Sequence, residues 1–203
     1  MNTLSILIPS IPSRRDKLNT LHAEIYRQAF AIHNTFPVIG YIEVIIDDSK
    51  SYLDGGISIG KKRDNLIRRA QGRYVCFLDD DETISPDYIK TLLLLCNEGS
   101  HVVTFRALFK LTDYWGLVNM SLFNTINEQA TPEGIIQRMP WHICPVWTEF
   151  ARLYSFNNKN NAEDFEWMKK VLKHCHTESH TDRIIFQYNH NSNSEADKIE
   201  NTK

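Results

Sequence analysis

Apolar runs broken by polar turns give the first pattern. In "LSILIPS" (Leu4 to Ser10) a short apolar run closes on Pro9 and Ser10, which predicts a strand entering a loop. From Ser13 onward, Leu18, Leu21, Ile25, Ala29 and Ile32 recur at three- and four-residue steps, the stripe of an amphipathic helix. "YIEVIIDDS" (Tyr41 to Ser49) predicts a second strand, and "SYLDGGISIG" a turn-rich connection. "KKRDNLIRRAQG" (Lys61 to Gly72) reads as a helix closed by Gly72. Tyr74 to Leu78 are β-prone and too few for a helix, so they predict a buried strand. Ser85 is a good helix cap, Pro86 suits the first helical position, and Ile89, Leu92, Leu93 and Cys96 follow at helical spacing. "HVVTFRALF" predicts another strand, "NNAEDFEWMKKVLK" (Asn160 to Lys173) a helix with an Asn cap, and "DRIIFQYNH" (Asp182 to His190) a late strand. Strands alternating with helices predict an α/β fold with a mainly parallel central sheet. The expected domain spans 1–190, regular to about 105 and less so from 106 to 190. The polar stretch 191–203 reads as a disordered tail.

Composition narrows the function classes. A chain of 203 residues fits one domain, and its 42% hydrophobic share supplies a core. A net charge of −2 argues against a strongly basic nucleic-acid binder. The longest apolar run is too short to cross a bilayer and the start lacks a signal peptide, so the expectation is a soluble cytoplasmic protein with no integral membrane segment. The cysteines (Cys76, Cys96, Cys144, Cys175) show no CxxC pairing and read as reduced, structural thiols.

Three predicted strands end in polar groups: Pro9 and Ser10, Asp47 and Asp48, then Asp79, Asp80 and Asp81. In open α/β sheets, ligands bind at the carboxyl ends of strands. Adjacent carboxylates repel, and a hard divalent ion such as Mg²⁺ or Mn²⁺, bridging to a substrate phosphate, relieves the repulsion. The plain alternative is a solvated acidic turn. The basic helix between the second and third strand offers Lys62 or Arg63 to a diphosphate, or simply a solvated face.

Taken together, "SILIPSIPSRRDKL", "VIIDDSK", "KKRDNLIRRAQGRYVCFLDDDE" and "AEDFEW", in this order, resemble glycosyltransferase family 2, the inverting enzymes of GT-A fold. Within the motif Arg63, Ala70 and Gly72 match, Asp64 replaces the usual Asn, and Asp79-Asp80-Asp81 stands at the DXD position. The resemblance implies a Rossmann-like GT-A domain with a nucleotide-sugar half (1–105) and an acceptor half (106–190). It implies a nucleotide-sugar donor, of the UDP-sugar class, and Mn²⁺ or Mg²⁺. Pro9 and Ser10 would line the nucleotide pocket, and Asp47, with Asp48, would meet the base. Arg63 would contact the nucleotide or diphosphate, and Asp79 and Asp80 would face ribose and sugar. Asp81, with Asp79 and His190, would hold the metal. Glu163-Asp164 matches the family's xED motif, with Asp164 the catalytic base and Glu163 its neighbour. The glycine-rich acceptor loop expected before xED is absent. In its place Trp141, His142 and Trp147 offer a stacking surface for a sugar or other planar acceptor, or an aromatic core. A glycan, a lipid-linked sugar, a protein hydroxyl and a modified DNA base all remain open as acceptors.

Three other readings compete. Asp79, Asp81 and Thr83 also fit the DxDxT of a haloacid-dehalogenase-like phosphatase, although two strands with polar ends precede them. Asp47, Asp48 and Asp79 resemble the acidic pocket of a non-catalytic receiver domain, which the basic helix does not suit. "HCHTESH" (His174, Cys175, His176, His180) resembles a metal-binding module, but it has no partner cluster, and a solvated helix end is the simpler reading.

Overall fold

The computed structural model describes residues 3–35, 39–110, 115–124 and 129–189. His190 and the 191–203 stretch lie outside the described residues. The chain opens as expected. Strand β1 (Leu4–Pro9) is buried along its whole length, which is why its sequence is a continuous apolar run rather than an alternation. It lies between β2 (Ile42–Asp47) and β3 (Tyr74–Phe77), parallel to both, with Pro9 opposite Asp47. The connecting helices are α1 (Arg15–Thr35) and α2 (Ile59–Arg69). Beyond β3 follow β4 (Thr83–Ile84), α3 (Tyr88–Asn97) and β5 (Val102–Lys110).

The second half adds strands that the sequence pattern did not mark: β6 (Trp115–Met120), β7 (Gln129–Ala130), β8 (Ile136–Arg138) and β9 (Val146–Trp147). Helices α4 (Thr148–Ala151) and α5 (Glu163–Val171) lead into β10 (Glu178–Asn189), which starts four residues earlier than expected. The sheet order is β2-β1-β3-β9-β5-β6-β8-β7, with β10 parallel to β5 and antiparallel to β4. Short β9 runs antiparallel to both β3 and β5 and joins the two halves. The sheet is therefore mixed, its first three strands parallel as expected.

Three helix ends differ from the sequence reading. Helix α2 starts at Ile59, capped by the Ser58 side chain on the Lys61 N–H, and ends at Arg69, with Ala70 as its C-cap. Gly72 does not close it. A Cβ there would lie 2.6 Å from the Ser5 backbone nitrogen, so glycine is needed for close approach to β1. Helix α3 starts at Tyr88 because Ser85 and Pro86 form the turn out of β4, and the Ser85 hydroxyl donates to Asp87 instead of capping the helix. Helix α5 starts at Glu163, behind Ala162 in a left-handed conformation, while Asn160 accepts from the Ile59 N–H of α2. Trp167 of α5 stacks on Phe156, and both meet the edge of Phe77 at the end of β3. This aromatic group fixes the first turn of α5 beside the carboxyl end of β3.

Candidate functional site

The site is built where β1, β2 and β3 end. Ser10 continues the β1–β2 ladder by donating its N–H to Asp47 O at 2.8 Å. Its hydroxyl donates to Asp80 Oδ2 at 2.6 Å, which joins the first and third strand ends. Arg14 completes that junction, 2.7 Å from Asp80 Oδ1 and 3.1 Å from Asp81 Oδ2, and Lys17 stands 3.7 Å from Asp81. Asp47 Oδ1 accepts from the backbone and hydroxyl of Ser49, which orients it at the rim, and Asp48 is exposed. The sequence reading passed over Arg14. Its signal was the Arg-Arg pair placed directly after the first strand's Pro/Ser loop.

Lys62 and Arg63 both turn inward, away from the diphosphate role considered for them. Lys62 donates to Ser10 O at 2.5 Å and Ser49 O at 2.6 Å, tying the β1 loop to the β2 loop. Arg63 is 3% exposed and lies over the Phe77 ring. It pairs with Glu163, stands 3.1 Å from Asp79 Oδ1, and reaches within 3.9 Å of Asp164 Oδ2. Burial opposes its charge, yet Asp79, Glu163 and Asp164 together hold its pKa above the ordinary guanidinium range. Asp64, which replaces the usual Asn, accepts from the Phe156 N–H at 2.9 Å and so helps seat the aromatic group under α5.

Asp164 has a different environment. Trp141 Nε1 donates to its Oδ2 at 2.7 Å, and the Phe165 N–H donates to its Oδ1 at 2.8 Å. His142 Nδ1 also approaches Oδ2 to 2.7 Å, off the line of an aligned hydrogen bond. Burial by itself would raise the Asp164 carboxyl. His142 and Arg63 outweigh it and keep the group well below the usual carboxylate range. His142 Nε2 lies 3.9 Å from Asp79 Oδ2, which puts Asp79, His142, Arg63 and Asp164 in one cluster. Trp147 does not join it. It pairs with Tyr74 at the opposite, amino end of β3 and packs on His101 and Phe150, so the acceptor role weighed for it has no geometric support.

Within the acidic run the three aspartates diverge. The Asp80 side chain is fully buried, used by Ser10 and Arg14, and burial raises its pKa. Asp79 and Asp81 keep 28% and 15% of their side-chain surface exposed. Among the described residues, no group of three or more His, Cys, Asp or Glu converges on a metal. The donor chemistry still fits a hard cation that takes one or two carboxylates and fills its shell from substrate phosphates and water. Next in line, Glu82 is pushed up to about 10 by burial and by Asp79 and Asp81. The histidines of "HCHTESH" are spent separately. His174 meets the Tyr154 hydroxyl, the His176 N–H donates to His101, and His180 meets Thr104. Among the described residues, no helix is long and apolar enough to cross a membrane.

Comparisons with known proteins now bear on this geometry. Residues 58–157, from the cap of α2 to just before α5, match the family model described as glycosyl transferase family 2. No curated protein matches the sequence significantly. Among solved structures, the chain is similar to S. aureus TarS 1–349 in complex with UDP-GlcNAc, with a TM-score of 0.66 and 15% identity over 96% of this chain and 60% of that one. It is similar to S. aureus TarS 1–349 with a TM-score of 0.63 and 16% identity over 92% and 60%. The same fragment in complex with UDP gives 0.63 and 15% over 94% and 61%. The chain thus spans about 60% of the length of these structures, and at such identities the likeness is one of fold.

Proposed function

We propose that this chain, whose residues 58–157 match glycosyl transferase family 2 and which has the GT-A fold, transfers a sugar from a nucleotide-diphosphate donor to an acceptor hydroxyl with inversion. The observation that carries the reading is the pairing of two acids across one buried arginine. Asp79 stands at the end of the strand that would face the donor, and Asp164 opens the helix that would face the acceptor. A UDP-sugar is the donor class we favour. It is supported by Asp47 at the rim, whose carboxylate suits the ring N–H of uracil, and by the fold likeness to a protein crystallised with UDP-GlcNAc.

In this reading Pro9, Ser10 and Asp47 line the base and ribose pocket, with Lys62 and Arg14 fixing the loops that form it. Asp79 and Asp81 would hold Mn²⁺ or Mg²⁺, which when bound supplies charge neutralisation at the diphosphate. Asp164 accepts the acceptor's hydroxyl proton on the side of the anomeric carbon opposite the leaving group. Its depressed pKa suits a late proton transfer. The hydroxyl becomes strongly acidic only as its oxygen bonds the anomeric carbon, so a weak base suffices. Arg63 is a positioning residue that keeps the two acids in one frame.

The deciding experiment is Asp164→Asn, which keeps shape and most hydrogen bonding but cannot accept the proton. The expected result is normal UDP binding, a melting temperature within a few degrees of wild type, and a loss of transfer on the order of 10²–10⁴-fold. Turnover near wild type would move the base elsewhere, and loss of nucleotide binding would make the residue structural.

A further inference from the structure

We propose that Trp141 and His142 form a clamp that aims the carboxylate of Asp164, holding Oδ2 so that Oδ1 is the oxygen presented to the acceptor hydroxyl. The inference rests on the assignment of Asp164 as the base. It goes beyond that assignment in naming which oxygen acts and which residues fix it.

The argument starts from lone pairs. A carboxylate offers about four acceptor positions. Two nitrogens of the 141–142 turn crowd the same oxygen: the Trp141 indole N–H donates to Oδ2 at 2.7 Å, and His142 Nδ1 stands 2.7 Å from it, out of line for a hydrogen bond. Oδ1 carries one contact, the N–H of Phe165 at 2.8 Å. Oδ1 is therefore the less covered oxygen, and the side-chain torsion that decides where it points is set by the two aromatic residues.

The clamp is itself held. The His142 carbonyl accepts from the Phe77 N–H at 2.9 Å, and the Cys144 N–H donates to the Trp141 carbonyl at 2.8 Å, so the turn is joined to the end of β3. The His142 ring meets the edge of Phe77. The Trp141 ring is packed by Phe109 and Tyr188, and the Arg138 guanidinium lies 4.6 Å over it. A donor locked by packing fixes a reacting group more narrowly than a solvated one. The core alternative considered from the sequence accounts for the packing. It does not account for ring nitrogens of two adjacent residues converging on one carboxylate oxygen, one of them donating to it.

Two measurements test the clamp. The first is UDP release from UDP-GlcNAc with Mn²⁺. W141F, which removes the indole N–H together with the five-membered ring but keeps an aromatic ring in place, and H142L should each lower kcat about 10²-fold while donor KM and UDP affinity stay within about twofold. H142N, whose amide nitrogen approximates Nδ1, should recover at least about tenfold of the loss. Wild-type kcat in W141F and H142L beside an inactive D164N would overturn the clamp and leave the base assignment standing. Wild-type turnover in D164N would overturn both. A raised donor KM with unchanged kcat would assign the pair to donor binding and overturn the clamp. The second measurement needs no turnover. In ¹⁵N-labelled protein the Trp141 indole resonance, identified by its loss in W141F, should move upfield in D164A. An unmoved resonance would show that the hydrogen bond is absent in solution and overturn the proposal.

Discussion

Arg63 holds the two halves of the site by charge. It is buried with Asp79, Glu163 and Asp164 around it, and breaking a buried pair by removing one partner leaves uncompensated charge. Arg63→Met keeps length and packing over Phe77 but deletes the cation. We expect a loss of about 3–5 kcal/mol in urea unfolding, with Glu163→Gln partly rescuing it in the double variant. A loss under 1 kcal/mol would mean that water or a counter-ion replaces the guanidinium. The residue scale is also where the sequence was most legible. Asp79 could be singled out from its type and its place after a strand, Arg63 as one of two candidates with Lys62, and Asp164 through the family resemblance. Their contacts could not. Arg63 sits on a helix rich in basic residues, and nothing in the sequence says that this one faces inward to three acids. Arg14 lay in a loop, where no periodicity marks orientation. Donor recognition is tested at this scale too. UDP should bind better than CDP or ADP because a site built on a polar contact rejects analogues lacking it, and Asp47→Ala should shrink that preference. Equal affinity of the wild type for all three diphosphates would remove Asp47 from base recognition.

At the scale of elements, the site depends on how tightly α2 and the turn after it are drawn against β1 and the loop before α5. Gly72 and Gly60 allow this. A Cβ on Gly72 would meet the Ser5 backbone at 2.6 Å, and one on Gly60 would meet the Asn157 carbonyl at 2.1 Å. Backbone cannot step aside as a side-chain tip can. Gly72→Ala should therefore cost about 1–3 kcal/mol by overpacking, read as a lower urea midpoint with unchanged slope. A neutral Gly72→Ala would show that the β1–β3 pairing tolerates a shift. The first-half strands and helices were legible because each is long and periodic or fully buried. Two-residue β9 and β4 are too short to carry a period, three-residue β8 has no buried position, and β6 alternates in burial but carries the apolar Trp115 and Leu117 on its less buried face, which hides the period. The helix ends were misread for a shared reason. Ser85, Asn160 and Gly72 are good local capping residues, but other contacts claimed each of them: the neighbouring Asp87 for Ser85, the α2 amino end for Asn160, and β1 for Gly72.

For the whole molecule, the question is whether the strands before β4 and those from β5 onward are one cooperative unit. The buried apolar residues form one cluster that runs from Leu4 to Phe186 and crosses the junction at β9. The four free cysteines sample it from both sides: Cys76 on β3, Cys96 on α3, Cys144 before β9 and Cys175 before β10. All four are buried, and desolvation pushes the Cys76, Cys144 and Cys175 thiols up to about 12 and Cys96 well above its ordinary value. A raised thiol pKa removes the nucleophilic thiolate at pH 8, so in the folded protein these groups lack both access and charge. Labelling by a thiol reagent then requires opening. If the cluster is one unit, all four cysteines should label at the rate of global unfolding, and added urea should accelerate them in parallel with the slope of the equilibrium transition. Mass spectrometry of pulse-labelled protein separates the four sites. Cys144 and Cys175 labelling at lower urea than Cys76 and Cys96 would show that the second half opens on its own. The junction through β9 and Arg63 would then be a hinge between two units, and the pairing of Asp79 with Asp164 would depend on its closure.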